Sequence, residues 1–278
     1  MIQINSRTLH AIGRGCLIFA LPVLFCGCLV NTEHQINYGL NHYNMGLYNQ
    51  AIPALVSAER SLAKTNPPDP RLPRIQIALG DMASAENRND LAEEFYKKAL
   101  VASERLAVPD KTSVRNSLVH GGNFYLNLKR PSEALPLLLR AVAISEKAPD
   151  FPRTLYAIDL DNLAQAYMGL GREQEGRALS LQALGVIDNA KSEPEALKAR
   201  GIIYFNLGVS HEKQHENAEA ESYFIRSLEV LSPRTGPKAG SLSEIRTLIN
   251  EYAGFLRGLG RTDEANQVES RMPKPILP

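Results

Sequence analysis

Cysteine is nearly missing from this chain: only Cys16, Cys26 and Cys28 occur in 278 residues, and none follows Cys28. The body therefore holds no disulfide, no thiolate nucleophile and no cysteine metal site. Tryptophan is absent. Surplus charge is absent as well: 31 Lys and Arg stand against 30 Asp and Glu, a formal net charge of +1. That balance argues against nucleic acid as a partner, which needs a basic surface to displace counterions. No Gly-rich phosphate loop occurs; Gly169, Gly171 and Gly176 are spaced as turn and packing glycines. No spacing suggests a Ser-His-Asp arrangement, and no cofactor or metal is implied. Apolar residues, by contrast, make up 44% of the chain, enough for a substantial core.

Apolar runs long enough to span a bilayer are also lacking. The strongest, Cys16 to Cys26, is short and interrupted by Pro22. Arg7 and Arg14 precede it, and no acidic residue appears before Glu33. This order reads as a signal peptide. Its end, Phe25-Cys26-Gly27-Cys28, resembles the bacterial lipobox. The resemblance implies a signal over residues 1–27, removed after Gly27, and lipid attachment (palmitate-type acyl chains) at Cys28. Several buried chains would anchor the protein firmly in a membrane. Leu29 after the cysteine, where no Asp stands, favours by the same resemblance the outer membrane, facing the periplasm. The alternative is a soluble exported protein without lipid.

The body repeats itself. Small residues recur at Ala51, Ala92, Ala134, Gly176, Ala220 and Ala265, separated by 41, 42, 42, 44 and 45 residues. Seven residues further on come Ala58, Ala99, Ala141, Ala183 and Ser227, with Met272 breaking the series. Upstream lie pairs ending in a small residue: Tyr38-Gly39, Leu79-Gly80, Gly121-Gly122, Leu163-Ala164, Leu207-Gly208 and Tyr252-Ala253. Small residues at fixed helical positions let two antiparallel helices approach closely. Gly46, Gly171 and Gly260 suit the left-handed residue that ends a helix. Pro131 suits a helix start. Pro53 and Pro136 fall at equivalent places about one turn into a helix and find no ready explanation there. Pro-rich stretches at 66–70 and 148–152, with 232–241, read as linkers.

These motifs resemble the tetratricopeptide repeat, in the longer form of about 42 residues found in kinesin light chains. The resemblance implies an all-α fold: a right-handed α-α superhelix of six helix-turn-helix repeats over residues 33–272. A short tether at 28–32 precedes it, an irregular tail at 273–278 follows, and the polar last helix closes the stack. It also implies function. The first helix of each repeat, helix A, lines a concave groove that holds a protein or peptide. Groove positions match Asn37, Arg74, Asn116, His120, Asn162 and Asn206, with Ile158 and Ile202 where some members carry basic residues that clamp a carboxylate. An Asn amide donates and accepts at once, so it suits the backbone of an extended peptide. Ile158, Ile202, Phe205 and Val209 predict an apolar groove at repeats four and five. The remaining Asp and Glu are expected on solvated faces.

One motif points elsewhere. His211-Glu212-Lys213-Gln214-His215 spells H-E-x-x-H, whose two histidines on one helix face would hold zinc, with Glu212 as general base of a peptidase. Yet the repeat already accounts for His211 as a helix A aromatic and His215 as a turn residue, Lys213 is charged, and no motif supplies a third ligand. The expected function is accordingly a non-enzymatic scaffold.

Overall fold

The computed structural model describes residues 32–148, 150–188, 193–232 and 240–272. The signal peptide, Cys28 and the tail at 273–278 lie outside them. Among the described residues there are twelve α-helices and no strand. In chain order they are α1 (Thr32–Asn44), α2 (Tyr48–Leu62), α3 (Leu72–Ala85), α4 (Asn89–Glu104), α5 (Lys111–Asn127) and α6 (Pro131–Glu146). The second half holds α7 (Arg153–Gly169), α8 (Glu173–Val186), α9 (Pro194–Lys213), α10 (Asn217–Leu231), α11 (Leu242–Gly258) and α12 (Thr262–Glu269). Odd-numbered helices are the A helices of six repeats and even-numbered ones the B helices.

Each A helix ends by the same device. Gly46, Asn87, Lys129, Gly171, His215 and Gly260 all take positive φ, between 58° and 77°. These six positions keep the spacing of the small-residue series. The amide of the next residue reaches back five positions each time, as from Leu47 to His42 O (2.8 Å) and from Arg172 to Tyr167 O (2.9 Å). Carbonyls that a helix end would leave bare are thereby satisfied. Glycine meets the left-handed conformation without strain; Asn87, Lys129 and His215 adopt it with a side chain. Starts are set by proline at the first position of α6 and α9, by Asp110 accepting from Thr112 N (3.0 Å), and by a capping box joining Ser241 to Glu244. Pro53 and Pro136 each stand sixth in α2 and α6, and both helices run through them.

Within each hairpin the packing is small against large. A Cβ on Gly39, Gly80, Gly122 or Gly208 would stand 2.5–2.9 Å from Leu55, Tyr96, Leu138 or Phe224 of the partner helix. Repeat four departs from this pairing: Ala164 stands in the glycine column and Ser180 replaces the large residue. Ala51, Ala92, Ala134, Gly176, Ala220 and Ala265 are all buried at these crossings, as the spacing predicts. Successive A helices pack directly on one another from repeat one to repeat five, and no successive B helices do so comparably. A stack held closer on one layer curls toward it, so the A helices form the concave face. The last helix, α12, fully buries only Ala265, rests Val268 on the core and turns its Asp, Asn, Gln and first-turn Glu side chains to water. The fold is an all-α helical-repeat solenoid.

Candidate functional site

Among the described residues several cavities open along the A helices; one of about 250 Å³ takes in Asn206 and Val209, and two others lie on either side of a buried ion pair. The first of these two, about 340 Å³, lies between α3 and α5. Arg74, Asn116 and His120 all line it, so three groove residues expected from the repeat register converge. Asn37 stands exposed on α1 outside both cavities. Next to His120 is Asp81, which accepts from Tyr43 Oη (2.5 Å) and Tyr96 Oη (2.6 Å), with His120 Nδ1 at 3.2 Å. Burial pushes the Asp81 carboxyl up. The His120 contact and the two phenols outweigh it and hold Asp81 below the usual carboxylate range. Burial and the neighbouring carboxylate in turn raise both phenols.

The divider is Arg115 with Asp159, both buried. Arg115 Nε donates to Asp159 Oδ2 at 2.9 Å, and Nη2 donates to Asp159 Oδ1. Ser145 Oγ also donates to Asp159, and Arg115 Nη1 donates to Asn116 Oδ1 (2.9 Å). The bridge joins α5, α6 and α7 across repeats three and four.

The second cavity, about 520 Å³, lies between α7 and α9. Leu155, Ile158, Ile202 and Ile203 give it apolar walls, at the repeats where the isoleucines predict an apolar groove. Asn162 lines it and is 8% exposed, and its Nδ2 has no hydrogen-bond partner. Beside it, Asp161 is 3% exposed. Its carboxylate accepts from Ser180 Oγ (2.8 Å) and Asn206 Nδ2 (2.7 Å), with Gln165 Nε2 at 3.5 Å. No cation is among its partners, and burial raises its pKa above the ordinary value. Asn206 is thus held by Asp161, whereas Asn162 keeps a free donor. Phe205 is half-buried and packs on the C-terminal core, its ring centroid 6.2 Å from that of Phe224. It serves the core.

Asp81, Asp159 and Asp161 correct the expectation that acidic residues lie on solvated faces. A signal for two of them was present in the repeat register. The column containing Asp161 reads Ile36, Ile77, Val119, Asp161, Phe205 and Asn250; the column containing Asp159 reads His34, Ile75, Ser117, Asp159, Ile203 and Leu248. A carboxylate in a column whose neighbouring repeats are mostly apolar points inward. Repeat four has therefore exchanged apolar core for a polar network, Asp161 against Ser180.

The H-E-x-x-H motif does not build a zinc site. α9 ends at Lys213, and His215 sits in the turn at φ 58°. His211 Nδ1 instead lies 2.5 Å from Glu216 Oε2 and its ring stacks on Tyr223. Among the described residues no three His, Cys, Asp or Glu gather as metal ligands. No described helix is long and apolar enough to cross a membrane.

A tetratricopeptide-repeat family model matches residues 114–148, which span α5 and α6. No curated protein matches the chain by sequence. Several solved structures match its fold. The putative kinesin light chain repeats of Podosopora anserina superpose with a TM-score of 0.57 at 19% identity, over 72% of this chain and 94% of that one. PilW, described as a widely conserved type IV pilus biogenesis factor, gives 0.59 at 17% identity, over 88% and 93%. A Rap protein complexed with Competence and Sporulation Factor gives 0.59 at 12% identity, over 88% and 75%. Residues 114–148 thus carry a tetratricopeptide-repeat match, and the stacking of the helical hairpins gives the described residues the same solenoid fold as these structures.

Proposed function

We propose that this chain is a protein-interaction adaptor that holds an extended segment of a partner on its concave face, anchored at the cavity between α7 and α9. One observation carries the reading: Asn162 places a buried amide donor without an acceptor in an otherwise largely apolar cavity. Leaving such a group unpaired costs about 1–3 kcal/mol, which a ligand carbonyl would recover. Apolar walls around a few fixed polar groups are the usual make-up of a binding cavity. The solved Rap complex supports the same use of this fold. The test is recovery of partners from an envelope extract by the wild-type chain, by Asn162→Ala and by Ile202→Asp. Both substitutions are expected to lose partners that the wild type retains; equal recovery by all three refutes the groove.

The same proposal includes its place in the cell. Supported by the lipobox-like sequence, Cys28 carries the lipid, and the solenoid faces the periplasm from the outer membrane. Mass spectrometry of the mature N-terminus checks this. An acylated Cys28 is expected; an unmodified start elsewhere leaves a soluble exported scaffold.

A further inference from the structure

Two aspartates two residues apart on α7 are provided for unequally. Asp159 has Arg115. Asp161, equally buried, has only neutral donors, and these occupy one position on Oδ1 and two on Oδ2. An ionised carboxylate buried without a cation is costly, and its desolvation is recovered when a positive group arrives. The cavity's own cation does not supply one: Lys198 Nζ is engaged by Glu244 Oε1 at 3.0 Å. Glu193 and Glu195 also line the cavity and add negative charge. Its volume, about 520 Å³, is within the roughly 300–1,000 Å³ of ligand sites.

Resting on the adaptor reading above, we propose that this cavity selects a lysine of the partner segment, its ammonium on Asp161 and its methylene stem along Ile158 and Ile202. Asn162 Nδ2 takes a main-chain carbonyl of the same segment. Lysine fits better than arginine for a geometric reason. A guanidinium fork needs both carboxylate oxygens open side by side, whereas Ser180 and Asn206 already hold one each. A compact ammonium needs only single lone pairs. The apolar walls suit a flexible four-carbon stem.

The test pans the full-length chain against a random short-peptide library acetylated at the N-terminus, so that side chains alone supply ammonium groups. Enrichment of lysine at one position is expected. Replacing that lysine with norleucine, or Asp161 with Asn, is expected to weaken binding about ten- to hundredfold. The two changes together should cost little more than either alone. The norleucine arm uses the wild-type protein, so it does not depend on how the variant folds. Binders without lysine, arginine selected in its place, or equal affinity for Asp161→Asn would each overturn the lysine assignment while leaving the groove intact. A second library, lysine-free with free N-termini, separates sources: binders there that lose affinity in Asp161→Asn assign the site to a terminal amine instead. Retention of no peptide from either library overturns the groove reading itself.

Discussion

Asp81 and Asp161 sit on the same concave face, one at the first cavity and one at the second, and their surroundings push them in opposite directions. Asp81 receives two phenols and an imidazole, and its carboxyl titrates low. Asp161 receives a hydroxyl and amides only, and its carboxyl titrates high. Burial alone does not decide a carboxylate's state; the kind of donor it meets does. The first arrangement is complete within the chain and braces α1, α3, α4 and α5 together. The second has neutral donors only and stands next to an amide donor without a partner, which is why the outside group is proposed at the second cavity.

The contrast can be broken deliberately. Arg115→Met would turn Asp159 into a second Asp161, buried with neutral donors only. Removing one partner of a buried ion pair costs about 3–5 kcal/mol, so urea unfolding should show the largest loss here. An unchanged midpoint would mean that the buried pair adds nothing to stability.

Tyr96→Phe strips one donor from Asp81 and should cost about 1.5–3 kcal/mol at neutral pH, as for hydrogen bonds to charged groups. The pH dependence fixes the cause. A carboxyl held low contributes stability above its ordinary pKa and loses it as pH falls through its folded value. The Tyr96→Phe deficit should therefore shrink in acid. A deficit constant across pH would mean that the phenol does not act through the Asp81 carboxylate, since phenylalanine keeps the ring that packs on Gly80.

Repeat four sharpens the comparison at the level of packing. Ser180→Leu puts a large residue opposite Ala164, where repeats one, two, three and five oppose glycine, and should cost about 1–3 kcal/mol by crowding and by loss of the hydroxyl that donates to Asp161. Ala164→Gly in the same chain should recover part of it. Additive losses would show that the two positions do not meet as Gly122 and Leu138 do.

The smallest expected effect is a gain. Asp161→Asn keeps the shape and removes the ionisable group, and should raise stability at pH 7 on the order of 1 kcal/mol. The sign is opposite to that at Asp81. A carboxyl held high contributes stability below its ordinary pKa, and that contribution is lost as pH rises through its folded value. The advantage of Asn over Asp should therefore grow from acid to neutral pH. A destabilised variant at pH 7 would indicate a cation at Asp161 already.

Much of this was legible in the residues. Ala51, Ala92, Ala134, Gly176, Ala220 and Ala265 are all buried, because helices can cross closely only where side chains are small. Gly46, Gly171 and Gly260 end their helices as glycine allows, but Asn87, Lys129 and His215 do the same without glycine's freedom, and only the repeat period betrays them. The groove register brought Arg74, Asn116 and His120 to one cavity and Asn162 to another. It did not reveal that Asn206 is spent on Asp161, since both residues are polar and 45 positions apart.

The amino-acid order by itself determined the period, the helix pairs and the face on which they curl, since all three follow from side-chain size at local helical positions. Which aspartate would meet an arginine was settled only in three dimensions. Asp159 and Asp161 are alike in sequence and both point inward, yet Arg115, 44 residues away, reaches the first and not the second. Electrostatic pairing depends on distance across the fold, and that distance exists only once the repeats have stacked.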